Sequence, residues 1–301
     1  MRILITGASG LVGKALTPFL EADGHEVRPL VRFATGYGSN AIEWSPERYS
    51  IALSRIENFD AVIHLAGESI AEGRWTEEKK KRIKESRVKG TRLIGESLAS
   101  LNNRPKILLS ASAIGYYGSR GDEVLTEESA PGNDFLAKVC VEWEEATKEA
   151  RDAGIRTCHL RFGIILDAEG GALGRMLPPF RMGVGGKIGD GRQWMSWVAL
   201  DDVVGGIHHL LLNDAVSGPV NVVAPNPVTN REFTKRLGRA LSRPTFFPIP
   251  AFGARLVFGE MGDALLLSSQ RVDPVKLKRS GYQFKYPTLD SALAHVLQVA
   301  R

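Results

Sequence analysis

The chain opens on a short apolar run, Ile3-Leu4-Ile5, which leads into Thr6-Gly7-Ala8-Ser9-Gly10-Leu11-Val12-Gly13. Three glycines at this spacing, leaving a strand and entering a helix, restrict the start of the fold more than any other feature. Gly7 permits a sharp turn out of the strand, Gly10 lets backbone N–H groups approach a pyrophosphate, and Gly13 lets the helix pack close to the sheet. The helix N-terminus then presents unsatisfied N–H groups and the positive end of its dipole to the phosphates. A glycine triad alone is weak, but one placed between a strand and a helix has the context that a dinucleotide site requires. Gly7, Ser9, Gly10, Leu11, Val12 and Gly13 are therefore expected to contact the cofactor.

The pattern after the loop repeats. Leu11, Ala15, Leu16, Phe19 and Leu20 are spaced for one face of a helix, with Pro18 inside it and Gly24-His25 at its end. Val27 to Val31 reads as a second strand, and Ile42-Glu43-Trp44 as a short one after a glycine-rich loop. Ala61-Val62-Ile63-His64-Leu65 is a buried strand, followed by a polar helix from Thr76 to about Ser100. Ile107 to Ser110 and Arg156 to Arg161 are further strands, and Asp134 to Ala150 a helix. Strands alternating with helices predict an α/β, Rossmann-type, doubly wound parallel sheet.

Beyond Gly163 the texture changes. The stretch 170–191 carries Gly170, Gly171, Gly174, Gly183, Gly185, Gly186, Gly189 and Gly191 with Pro178-Pro179, and reads as a loop excursion over the site. Trp197 to Leu212 reads as a strand and helix, and Val220 to Val223 as a strand returning to the sheet. Pro225-Asn226-Pro227 marks a boundary. The expected organisation is a nucleotide-binding domain over 1–225, with an excursion at about 167–196 on the substrate side, and a smaller α/β substrate domain over 226–301 that includes a Tyr282–Tyr286 strand.

Composition sets the outer limits. The 301 residues, 43% hydrophobic and 24% charged, suit a globular protein with a large core. Net charge is +5, but the densest basic run, Lys79-Lys80-Lys81-Arg82, is interleaved with Glu77, Glu78 and Glu85, so it reads as a solvated helix face and no nucleic-acid partner is expected. Cys140 and Cys158 have neither disulfide nor metal spacing. A strand begins at once at the N-terminus, with no basic leader, and no apolar run reaches the roughly 18 residues of a membrane helix. A reducing, cytoplasmic setting with no membrane partner is expected, and a monomer or homodimer.

The end of the second strand selects the cofactor. A carboxylate there would bind the ribose hydroxyls of NAD and repel a 2′-phosphate. This chain has Val31-Arg32 and no acid before Glu43. An arginine pairs with a phosphate through charge-assisted hydrogen bonds, so NADP(H) is the expected cofactor.

The glycine loop, His64-Leu65-Ala66-Gly67 and Arg161-Phe162-Gly163 resemble, in that order, an extended short-chain dehydrogenase/reductase. Gly67-Glu68-Ser69-Ile70, Arg74-Trp75, Ser86-Arg87, Gly115-Tyr116-Tyr117-Gly118, Ser196-Trp197, Asp201-Asp202-Val203, the run from Ala224 to Asn230 and Gly259-Glu260-Met261 are similar to its atypical epimerase-family subgroup. That subgroup carries its own small C-terminal domain of unknown function. The resemblance spans nearly the whole chain. It implies cofactor contacts from Leu65, Ala66, Gly67, Lys138 and Arg161, and from Arg87 in the slot that extended members fill with Asn; Arg82 is a weaker candidate.

It also implies hydride transfer at a carbon bearing oxygen, by an oxidoreductase or epimerase acting on a small molecule. A Tyr serves as acid/base, a Lys favours its phenolate, and a Ser or Thr orients the substrate oxygen. Ser112 and Lys138 fit two of these roles. Asp134 stands where the Tyr belongs, beside Phe135, which has no hydroxyl. Three readings stand: Tyr116 or Tyr117 supplies the phenol, Asp134 acts as a carboxylate acid/base, or the chain binds NADP(H) as a sensor or scaffold without turnover. His64 is expected to be a packed, hydrogen-bonded core residue. His159, His208 and His209 lack partners in sequence, so no metal set is expected. One of Asp201 and Asp202 is expected to cap the helix that follows, Trp194 and Trp197 either wall a pocket or pack, and Cys140 is read as core.

Overall fold

A computed structural model of the chain describes residues 1–33 and 40–298; most of the glycine-rich stretch before Ile42 lies outside them. The chain runs β1 (Arg2–Thr6), α1 (Leu11–Ala22), β2 (Glu26–Val31), β3 (Ile42–Ser45), β4 (Ser50–Ile51), β5 (Ala61–His64), α2 (Glu77–Ala99), β6 (Ile107–Ala113), β7 (Val124–Leu125), α3 (Phe135–Glu145), α4 (Lys148–Asp152), β8 (Arg156–Phe162) and β9 (Ile164–Leu166). It continues through α5 (Gly171–Arg181), β10 (Trp194–Met195), β11 (Trp197–Ala199), α6 (Leu200–Leu212), β12 (Gly218–Val222), α7 (Asn230–Ala240) and α8 (Ala251–Phe258) to a last helix, Leu289–Gln298.

The main sheet has the order β12-β8-β6-β5-β1-β2-β3-β4, parallel throughout except for the antiparallel β3–β4 pair. Its strands are apolar on both faces because helices cover both. Ile3, Ile5, Ala61, Ile63, Ile107 and Leu109 pack with Leu16 and Leu20 of α1 and Val203, Ile207 and Leu210 of α6. The alternate residues Leu4, Val62 and Leu108 pack on the other face with Leu93, Ile94 and Leu98 of α2. The chain leaves β1 toward β2 on one side and returns as β5 on the other. This reversal opens a crevice at the carboxyl ends of β1 and β5, where the glycine loop lies.

Four local expectations change. Residues 171–181 form α5 instead of loop, because Leu173, Leu177 and Phe180 bury one helical face in a second core; that burial outweighs Pro178 and Pro179. The Tyr282–Tyr286 segment forms no strand. Its polar groups converge on Asp202 instead: Tyr282 Oη donates to Oδ1 at 3.0 Å, the Lys285 N–H to Oδ1 at 2.7 Å and the Tyr286 N–H to Oδ2 at 3.0 Å. Asp202 therefore does not cap α6, whose N-cap is Ala199 without a side-chain bond, and Asp201 pairs with His295 at 3.0 Å. His208 does have partners: folding sets its Nε2 2.8 Å from Asp23 Oδ2, with His25 beside them.

Candidate functional site

Gly7 adopts φ +70°, a left-handed conformation that side chains disfavour, and a Cβ there would stand 2.8 Å from the Leu65 carbonyl carbon. At Gly13 a Cβ would lie 2.2 Å from the Gly7 oxygen. The two glycines let β1, α1 and the end of β5 close on one another. Gly10 is the N-cap of α1 and supplies no side-chain bond, so the first N–H groups of the helix remain available to an anion. From above, α5 begins over this cradle, with Gly170 and Gly171 against the Leu11 side chain.

Behind the cradle is a polar chain that sequence reasoning saw only in part. Thr6 Oγ1 accepts from the N–H groups of Leu65 at 3.0 Å and Ala66 at 3.1 Å, tying β1 to the end of β5. His64 bridges Thr6 Oγ1 at 2.7 Å and Thr91 Oγ1 at 2.9 Å, and Trp143 Nε1 donates to Thr91 Oγ1 at 2.9 Å. His64 is thus the packed residue expected, and burial pushes its pKa down to about 4.

The candidate cations differ in their surroundings. Arg32 is exposed at the end of β2, its guanidinium 4.0 Å from Glu47. Arg82 is engaged by Glu68 at 3.3 Å and Glu78 at 3.1 Å. Arg87 lies over the indole of Trp143, 5.0 Å from its centroid, and donates to the Ile83 carbonyl at 3.1 Å. Its guanidinium covers Gly67, where an added Cβ would stand 3.6 Å from Arg87 Cζ. Among the described residues it forms no salt bridge, and burial lowers its pKa. A sheltered guanidinium without a carboxylate partner, facing the end of β5, is suited to an anionic ligand.

The side chains singled out for catalysis do not assemble as a Ser-Tyr-Lys set. Ser112 is buried and donates to Glu144 at 2.7 Å. Tyr117 is wholly buried, donates to Asn221 Oδ1 at 2.7 Å and accepts from Arg161 at 2.9 Å; burial pushes its pKa up to about 12. Lys138 is exposed on α3, and no hydrogen bond or ion pair joins it to Tyr117. Arg161, expected at the cofactor, turns inward, held by Glu144 through two 2.8 Å bonds and stacked 3.5 Å from the centroid of the half-buried Tyr116. Asp134 caps α3, its Oδ1 accepting from the Ala137 N–H at 2.9 Å, and borders a cleft of about 270 Å³ between residues 117–120 and 131–134. Glu144 and Asn221 carried no motif, and their partners lie far away in sequence. Of the tryptophans, Trp197 is core, whereas Trp194 is partly exposed and donates to Asp122 at 2.8 Å.

A sequence model of the NAD dependent epimerase/dehydratase family matches residues 3–224. The chain belongs to that family. A second model, of a domain of unknown function, matches residues 249–296 of this epimerase-family chain. It is 40% identical over 293 residues to an epimerase family protein of Mycobacterium bovis, covering 97% of this chain and 96% of the relative. It is 36% identical over 300 residues to human epimerase family protein SDR39U1, covering 99% and 100% of the two chains. The crystal structure of the human protein with NADPH superposes with a TM-score of 0.91 at 34% identity, over 99% of each chain. A UDP-N-acetylglucosamine 4-epimerase from Bacillus cereus shares the fold, with a TM-score of 0.77 at 18% identity. The protein is thus an epimerase-family member that also matches a C-terminal domain of unknown function. Among its described residues no helix is long and apolar enough to cross a membrane.

Proposed function

We propose that the chain binds NADP(H) across the glycine loop and acts as an oxidoreductase or epimerase on a small molecule held near Asp134. The observation that carries the cofactor assignment is Arg87, a sheltered guanidinium over Gly67 that forms no salt bridge among the described residues. The nicotinamide, when bound, supplies hydride chemistry. The chain supplies the rest: the N–H groups at the start of α1 receive the pyrophosphate, and Arg32 and Arg87 pair with the ribose phosphate that distinguishes NADP(H) from NAD(H). NADPH in the solved human relative supports this choice. Asp134 is the carboxylate that borders the cleft and is the acid/base of this reading, whereas Tyr117 and Ser112 donate their hydroxyl protons to Asn221 and Glu144. That same commitment favours a second reading, NADP(H) binding without turnover. We place the protein in a reducing compartment, in keeping with two buried free cysteines.

Calorimetric titration with NADPH and NADH tests the cofactor, and NADPH oxidation over a panel of carbonyl compounds and nucleotide sugars tests the reaction. NADPH is expected to bind more tightly than NADH, and Arg32→Ala or Arg87→Ala to weaken NADPH by about tenfold or more while sparing NADH. Equal affinities unaffected by either substitution overturn the assignment. Turnover that Asp134→Asn removes without changing NADPH affinity supports the first reading; binding with no turnover across the panel supports the second.

A further inference from the structure

Asp23 is the C-cap of α1, His25 follows two residues later, and His208 sits on α6. Because α1 and α6 pack on the same face of the sheet, the three side chains meet far from the glycine loop. His208 Nε2 lies 2.8 Å from Asp23 Oδ2, and His25 Nε2 lies 3.3 Å from the same oxygen. One ligand atom from each of the three falls within 4.8 Å of the others. Zn²⁺ binds imidazole nitrogen and carboxylate oxygen at about 2.0–2.2 Å, which sets neighbouring donors of a tetrahedron about 3.3–3.6 Å apart. The side chains therefore stand near coordination spacing and need only small rotations to reach it.

A second observation singles out His25. Its Nε2 is buried and makes no well-aligned hydrogen bond among the described residues, although it lies 3.3 Å from the Asp23 carboxylate. Buried polar nitrogens normally find a partner, and this one is directed at the same carboxylate oxygen that His208 reaches. The surrounding groups hold both rings. The Met1 amino group lies 3.2 Å from His25 Nδ1, and Phe19 packs edge-on against His208 with centroids 5.3 Å apart.

We propose that Asp23, His25 and His208 bind a divalent transition-metal ion of the Zn²⁺ type, with a fourth position open to water through the half-exposed Asp23. Two imidazoles and one carboxylate suit Zn²⁺ and its transition-metal neighbours; Mg²⁺ and Ca²⁺ require mostly oxygen donors. His25 immediately precedes β2, so the ion lies at the amino ends of the strands, whereas the nucleotide crevice lies at their carboxyl ends. Its effect is to clamp α6 to the turn between α1 and β2, independently of the cofactor.

The test is calorimetric titration of the full chain with ZnCl₂ after dialysis against a chelator, with thermal melts in parallel. The expected result is one Zn²⁺ per chain, a raised melting temperature and no response to Mg²⁺. His208→Ala and Asp23→Asn should each weaken Zn²⁺ by at least about tenfold, while circular dichroism and NADPH affinity match the parent chain. Absence of stoichiometric Zn²⁺ binding, or binding of equal strength in both variants, overturns the proposal.

Discussion

The buried pair of Glu144 and Arg161 determines what Ser112 and Tyr117 can do. Glu144 accepts from the Ser112 hydroxyl and twice from Arg161, which in turn donates to Tyr117. Replacing Arg161 by Leu leaves a buried carboxylate without its cation, and urea unfolding should show a loss of about 3–5 kcal/mol. Tyr117→Phe removes only the hydroxyl, so it should cost about 1–3 kcal/mol and leave NADPH affinity unchanged. A variant that is fully stable but catalytically dead would instead make Tyr117 the acid/base. At this scale the sequence was legible where function resides in the backbone, as at Gly7 and Gly13, whose required conformation and close approach exclude a side chain. It was illegible where function depends on the direction of a side chain. Arg161 follows the alternation of β8 and points with His159 toward Glu144, and nothing near Arg161 in the chain announces that acid.

Between elements, Asp202 is the main polar tie from α6 to the C-terminal segment. It is wholly buried and receives Tyr282 Oη and two backbone N–H groups. Asp202→Ala strands those donors, each at about 1–3 kcal/mol, so the melting temperature should fall clearly. Hydrogen exchange should accelerate around residues 282–286 before the glycine loop opens; uniform protection of that segment in the variant would refute the tie. Periodicity revealed α1, whose stripe is plain. It missed α5, where glycines and two prolines obscure a stripe of Leu173, Leu177 and Phe180 that only the second core rewards. It also took Tyr282–Tyr286 for a strand, because local pattern does not show that a carboxylate supplies the hydrogen bonds a sheet would otherwise provide.

The architecture of the whole molecule was the most legible, because a doubly wound sheet is written in alternating buried strands and amphipathic helices, and its switch point follows from connection rules. What the alternation cannot show is how many polar groups the sheet buries. His64 in β5 and His159 in β8 are both buried, and burial pushes each to about 4. The unfolded chain binds a proton at each near pH 6.5, whereas the folded chain does so only near 4. Between those values the unfolded state carries more protons, so stability is complete above about pH 6.5 and is lost as pH falls. Each histidine contributes up to about 1.4 kcal/mol per pH unit, and the two together about 2.5 between pH 6 and 5. Urea midpoints should therefore be flat from pH 8 to 7 and fall steeply from 6 to 5, with His159→Gln halving that slope; a midpoint insensitive to pH across 6 to 5 would mean that the sheet interior admits the imidazolium.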